Sequence, residues 1–375
     1  MSAQAVRLQL HGWRWMFLLL MAGGVTASFL AARLGQGSTT RLSDETPWGL
    51  CLGLNVFCGI ALAAGALTIA SVSLVIAGPD WRAVGRASLL AGSLSYVVAI
   101  LGMVANEAGN RYWQTLVGGW TSRSILSGAV WTLLLIALLL IVEFSPRDAV
   151  QLRRSRLFGI LCRLELPLLI LVTVVAVIHQ LGLQRLISLS QTRFSPLWAS
   201  PSLFLLFCLS SLALALAVLL LASWRSQVAF GKALPQSLQS ALVRGLTALV
   251  FVYLLIRLMD LAERGLFSSV FSATREGLLM LLEIALLLVG MIWMHGNEAN
   301  PREMFPASAL IIAGVIANRL NTAITALEAG TGQNYLPRWG EFLISYSLIA
   351  AGVAGFAFGV KHLSVFEAVN PSTIE

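Results

Sequence analysis

The sequence predicts an all-α fold: a polytopic membrane helical bundle of about ten transmembrane helices with both termini cytoplasmic. Three observations predict it. Of the 375 residues, 58% are hydrophobic and only 11% charged, against about 25% charged in a soluble domain; lipid must therefore cover most of the outer surface. Ten stretches reach the roughly 20 mainly apolar residues that a spanning helix needs. Prolines punctuate the connections between those stretches. The same composition excludes an ordinary cytosolic enzyme, a disordered chain and a fibrous repeat.

The first stretch, 15–34, follows Arg7 and Arg14. No clean small-residue cleavage site comes after it, so it reads as a spanning helix kept in the chain. The second, 48–77, opens after Pro47, and the third, 83–106, follows Pro79. The fourth, 124–144, closes before Pro146; the fifth, 160–183, carries Pro167 near its start, where a kink or a tolerated proline is expected. The sixth is 202–224 after Pro201, the seventh 240–262 after Pro235 and the eighth 274–294. The ninth, 303–322, follows Pro301, and the tenth, 339–363, follows Pro337. No soluble domain intervenes. The expectation is a single integral membrane domain over 1–375, with 1–14 and 364–375 as short cytoplasmic tails.

Ten spans put both termini on one side. Fourteen of the 25 Lys and Arg residues fall on that side, including the run Arg153-Arg154-Ser155-Arg156, and nine on the other. The positive-inside rule makes the termini cytoplasmic. The net charge of +8 then records orientation, and no nucleic-acid partner is expected. Cys51, Cys58, Cys162 and Cys208 lie in or beside apolar stretches and form no C-x-x-C pair, so no metal site is expected. The outward connections hold Tyr112, Trp113, Trp120, Trp198 and Tyr335. These aromatics suit an interfacial belt or a docking surface for a partner.

A charge at the centre of a spanning helix costs roughly 2.5–3.5 kcal/mol. Converting sequence position to depth at about 1.5 Å per residue sorts the polar residues to one side. Asn55, Asn106, His179, Arg257, Asp260, Glu283, Asn318, Arg319, Asn321 and Glu341 all fall in the outer half, on seven helices; the inner half holds Glu143 and Glu165 near the interface. This predicts a polar pocket opening toward the outer leaflet. Structural readings stay open beside it: Arg257 and Asp260 are i,i+3 neighbours and suit a local ion pair, and Arg319 suits neutralisation by Asp260 or Glu283. Only His179 among the four histidines lies inside a span, the others standing at helix ends on the opposite face, so a haem held by two histidines is not expected. A quinone suits the pocket better: its ring oxygens need hydrogen-bonding side chains, and its tail needs an apolar groove.

Several stretches in order carry a resemblance: "TPWGLCLGLNVFCGIALAAGALTIA" (46–70), "RYW" (111–113), "VEFSP" (142–146), "HQLG" (179–182), "SPLWAS" (195–200), "RLMDLAERG" (257–265), Glu283, "NRLN" (318–321) and "YLPRWGEFLIS" (335–345). The chain resembles, over its whole length, the NrfD/PsrC-like integral membrane subunits, and within them the HybB-type subunit of periplasm-facing [NiFe] hydrogenases. The resemblance implies a quinone-reactive anchor in the bacterial inner membrane, partnered by a periplasmic ferredoxin-like iron–sulfur subunit and through it by the hydrogenase large and small subunits. It implies exchangeable menaquinone or ubiquinone, no haem or metal, and no catalytic residue for hydrogen itself. His179, Arg257, Asp260, Glu283, Arg319, Glu341 and Asn55 become the quinone-binding or proton-exchange candidates, with Tyr112 and Trp113 at the rim. The chain departs from the pattern at Asn55, where relatives often have an acid, and in 124–130 and 219–226, which lack one. Those acids are the natural carriers of protons toward the cytoplasm. Other readings are a sulfur-compound or other molybdenum oxidoreductase partner, a transporter, and a purely structural anchor.

Overall fold

The computed structural model describes residues 3–42, 49–76, 79–106, 125–144, 156–189, 194–296, 300–332 and 334–368. Its helices fall where the apolar stretches lie. They are α1 (Ala3–Leu34), α2 (Cys51–Phe57 as π-helix, then Cys58–Ile76), α3 (Pro79–Asn106), α4 (Ile125–Phe144) and α5 (Arg156–Leu189). They continue with α6 (Leu203–Phe230), α7 (Gln236–Glu263), α8 (Arg275–Gly296), α9 (Pro301–Leu320, then onward) and α10 (Trp339–His362). Among the described residues, eight helices are long and apolar enough to cross a membrane; shorter apolar helices, Phe17–Ala31 and Trp131–Phe144, stand at the first and fourth predicted spans. The chain is a multi-pass membrane protein.

Two boundaries differ clearly from expectation: α1 is helical from Ala3 where the span was expected from 15, and α9 outruns its expected end. The sequence places the end of the ninth span at 322, yet α9 runs on through a π-helical turn, Asn321–Thr325, and a last α segment, Ala326–Thr331. Its polar run is not a frayed end: Asn318, Arg319, Asn321, Thr322 and Thr325 are all buried. The helix stops at Gly332, whose φ of +70° is the left-handed conformation that glycine adopts at little cost.

Eight helices sort into two groups of four. In α2–α5 the buried contacts are made by residues such as Leu67, Leu89, Ile136, Leu139, Leu169 and Val172. In α6–α9 they are made by Leu214, Val243, Leu246, Leu287, Ile311 and Val315, with part of α3 joining them. Lipid removes the hydrophobic drive between spanning helices, so close packing of small residues must supply association. Gly65 shows this where α2 crosses α6: a Cβ there would lie 2.1 Å from the Ser211 carbonyl oxygen. Helix α10 packs on α3, and α1 on α10.

Successive helices alternate in direction. The first end of the bundle holds the starts of α2, α6, α8 and α10 and the finishes of α3, α5, α7 and α9. At the second end a short antiparallel pair, β1 (Lys232–Ala233) with β2 (Glu367–Ala368), fastens the C-terminal segment, and Val365 and Phe366 are buried there.

Candidate functional site

The charged residues of α6–α9 form one buried network toward the first end. Its centre is Glu283 on α8, two turns in from Arg275 and fully buried. Its Oε1 accepts from Asn318 Nδ2 at 2.8 Å and from the Tyr253 hydroxyl at 3.3 Å. Its Oε2 accepts from the Trp198 indole N–H at 3.2 Å and from Asn321 Nδ2 at 3.5 Å. The last asparagine is aimed by the π-helical turn of α9. Tyr253, Arg257 and Asp260 share a face of α7 through i,i+4 and i,i+3 spacing, and all three are buried.

Arg257 stands between the two carboxylates, with Nη1 3.9 Å from Asp260 Oδ2 and Nη2 4.0 Å from Glu283 Oε1. The i,i+3 pair foreseen from sequence is present, but Arg257 is shared. Asp260 is held more tightly from the other side: the Ser200 hydroxyl donates to Oδ1 at 2.6 Å and Arg264 Nη2 donates to Oδ2. Arg264 also donates to the carbonyls of Pro196 and Ala199. It thereby latches the non-helical segment 194–202 over the network, with the fully buried Trp198 on the underside.

Arg319 on α9 is also buried. Neither Asp260 nor Glu283 pairs with it directly. Its Nη1 donates to Asn318 Oδ1 at 3.1 Å, and its Nη2 donates to the Phe207 carbonyl, Ser210 Oγ and Ser211 Oγ at 3.1, 2.8 and 3.3 Å. The guanidinium lies 3.7 Å from the Phe207 ring centroid, a cation–π contact that substitutes for part of its lost hydration. Ser211 in turn donates to Gln180 Oε1 at 2.7 Å, which brings α5 into the network.

The remaining candidates stand apart. Glu341 caps α10 and ties down the chain leading into α2. Its Oε1 accepts from the backbone N–H of Arg41 at 3.0 Å and of Arg338 at 3.2 Å. Its Oε2 accepts from Leu50 N–H at 3.3 Å and from the Tyr335 hydroxyl. Gly49 is required beside it, since a Cβ would sit 2.6 Å from Oε2. Burial, then the hydrogen bond and charge of Glu341, push the Tyr335 phenol above its ordinary range. Asn55 is fully buried in the π-helical start of α2, donating to Cys51 Sγ at 3.4 Å. His179 faces α3, with Nδ1 2.6 Å from the Tyr96 hydroxyl, although its neighbour Gln180 is in the network. Tyr112 and Trp113 lie outside the described residues.

The sequence reading missed Trp198, Tyr253, Ser200, Ser210 and Ser211 as partners of these charges. Tyr253 had a signal, its spacing from Arg257 and Asp260 on one helical face. Trp198 had only the weaker one of an aromatic in an outward connection. The inner acids lie at the second end: Glu143 pairs with Arg86 Nε at 2.6 Å, and Glu165 lines the same cleft with Arg82 and Ser73. Among the described residues no three His, Cys, Asp or Glu side chains gather as a metal site would require.

No protein-family model matches the chain. It is 24% identical over 361 residues to a protein of Nitratidesulfovibrio vulgaris, covering 92% of each. It is 21% identical over 340 residues to the "Probable Ni/Fe-hydrogenase 2 b-type cytochrome subunit" of Escherichia coli, covering 88% of this chain and 86% of that one. The chain is a relative of that hydrogenase subunit. The resemblance read from the ordered motifs is thereby borne out. The expectation that no haem is bound is corrected, because the relative is named a b-type cytochrome. To such a group the described residues offer one ligand within a span, His179, whose Nδ1 lies 2.6 Å from the Tyr96 hydroxyl. His295 and His362 stand in the last turns of α8 and α10, at the opposite end of the bundle.

Proposed function

We propose that the protein is the quinone-reactive membrane anchor of a hydrogenase complex. In this reading it lies in the bacterial inner membrane with its first end toward the periplasm, where a ferredoxin-like iron–sulfur subunit docks and connects it to the hydrogenase large and small subunits. The observation that carries the reading is the Glu283 network. Two arginines and two carboxylates are buried together at one end of an apolar bundle, an arrangement too costly to expect from packing alone. Reduction adds two electrons from the partner's reduced clusters and two protons to the quinone, giving quinol. Arg257 supplies positive charge where a ring oxygen gains electron density. Glu283 and Asp260 are the groups placed to hold and pass protons. Ser200 and Arg264 join Asp260 to segment 194–202 at the first end, where in this reading the protons exchange. The test is to extract the intact, purified complex with solvent and analyse its lipids while identifying its partners. A quinone co-extracting with a hydrogenase is expected; a complex free of quinone and inactive toward added quinone contradicts the reading.

The Escherichia coli relative's name favours an added element, a b-type haem on this chain. His179 would hold it through Nε2, with Tyr96 fixing the ring. When bound, such a group supplies one-electron transfer between partner and quinone. A reduced-minus-oxidised spectrum of the complex tests it: a haem band that His179→Ala removes supports the assignment, and a band that survives the change contradicts it.

A further inference from the structure

Arg257 carries an unusual deficit. Its side chain is 1% exposed, yet Nε and Nη1 have no hydrogen-bond acceptor. Nη2 meets only the Met280 sulfur, at 3.5 Å. The carboxylates at 3.9 and 4.0 Å offer charge but no hydrogen bond. A buried donor left unmade costs about 1–3 kcal/mol, and more when charged, so the site favours an occupant that brings an oxygen acceptor.

The neighbouring position is filled by a side chain that does not belong to a helix. Trp198 is carried on 194–202, a segment of turns held by Arg264, by Ser200 on Asp260, by the Ser195 N–H on the Ala326 carbonyl at 2.8 Å, and by the packing of Phe194 and Leu197 in the same buried cluster. Its indole is flat and bicyclic, close in size to a naphthoquinone ring, and its N–H occupies Glu283 Oε2. Around Glu283 there is thus a donor without an acceptor, Arg257, and an acceptor now used by a donor from a non-helical segment. A quinone needs the first for its carbonyl oxygen, and a quinol needs the second for its hydroxyl.

We infer that the quinone ring takes the seat filled by the Trp198 indole, with one ring oxygen on the unpartnered N–H groups of Arg257. The inference rests on the quinone reading and deepens it. Segment 194–202 is then the door, and the Arg264–Asp260–Ser200 contacts are its latch.

A photoreactive azidonaphthoquinone, irradiated with the intact complex in membranes, tests this by peptide mapping. Labelling is expected in 194–202 and around Met280. Arg257→Met should lower it at least about tenfold, the loss expected for a charged hydrogen bond, with Arg257→Lys intermediate. Trp198→Ala should raise labelling around Met280, because the seat is vacated. Labelling in these peptides that neither Arg257→Met nor Trp198→Ala changes overturns the inference and leaves the quinone reading standing. Labelling confined to other helices overturns the site itself. Should Arg257→Met not accumulate, the Trp198→Ala arm decides alone: a rise supports the seat, and no change refutes it.

Discussion

The two four-helix groups treat charge in opposite ways. In α6–α9, Arg257, Asp260, Glu283 and Arg319 are all at least nine-tenths buried near the first end. In α2–α5 the ionic group is Arg86, Glu143 and Glu165, at the second end, in a cleft with the Arg86–Glu143 pair 15–17% exposed. Water screens the second set and helps solvate it. The first set must be solvated by the protein, which explains why Glu283 collects four side-chain donors and Arg319 collects four oxygens and a ring face. Depth alone therefore does not make a site. Burial with several partners on separate helices does, because each partner fixes where the charge stands.

The largest expected effect comes from Glu283→Leu, which removes the charge facing Arg257 and the acceptor shared by Trp198, Tyr253 and the two asparagines. Breaking a buried ion pair by removing one partner costs about 3–5 kcal/mol, so the variant should fail to accumulate in membranes. Glu143→Gln, in the partly exposed pair, should cost no more than about 1 kcal/mol and accumulate normally. Equal amounts of both variants would erase the contrast between the groups.

Next in size is Gly65→Val at the seam between the groups. A Cβ 2.1 Å from a backbone oxygen forces α2 from α6, at a cost on the order of 3 kcal/mol. The thermal midpoint of the purified complex should fall clearly; an unchanged midpoint would mean that the seam is not tightly closed.

Arg319→Lys comes third. Lysine keeps the charge but cannot reach Asn318, the two serines and the Phe207 ring as one planar fork, and about 2 kcal/mol should be lost. The same midpoint measures it, and a loss as small as that of an exposed Arg→Lys change would contradict the network.

The smallest effect belongs to Tyr335. Its phenol is held neutral by burial and by Glu341, so the folded state keeps the proton longer than the unfolded chain, whose tyrosine releases it near 10.0. The contribution is therefore complete below pH 10 and shrinks as pH rises above it. Thermal midpoints across that window should fall more steeply in the natural protein than in Tyr335→Phe, which itself should cost about 1 kcal/mol at neutral pH. Parallel curves would contradict this.

Much of this architecture was legible in the chain because an apolar run of some 20 residues fits almost nothing but a spanning helix. Apart from the finish of the ninth, spans two to ten start and end within several residues of the apolar stretches. The finish of α9 was not legible, because Asn321, Thr322 and Thr325 look like a helix end when their burial is unseen. Depth sorting placed Arg257, Asp260, Glu283 and Arg319 at one end. It could not say which way each side chain turns, so Glu341, a cap of α10, and His179, which faces Tyr96, were grouped with them. Trp198 escaped because periodicity describes helices and this residue reaches the network from a connection.

The most direct test compares hydrogen-driven quinone reduction in Glu283→Gln and Glu143→Gln, with dye reduction by the same complexes as the control for assembly. Gln keeps the size of Glu283 and removes its charge. The account predicts that quinone reduction collapses in Glu283→Gln alone while dye reduction persists in both. Full quinone reduction in Glu283→Gln, or an equal loss in the two variants, would contradict it.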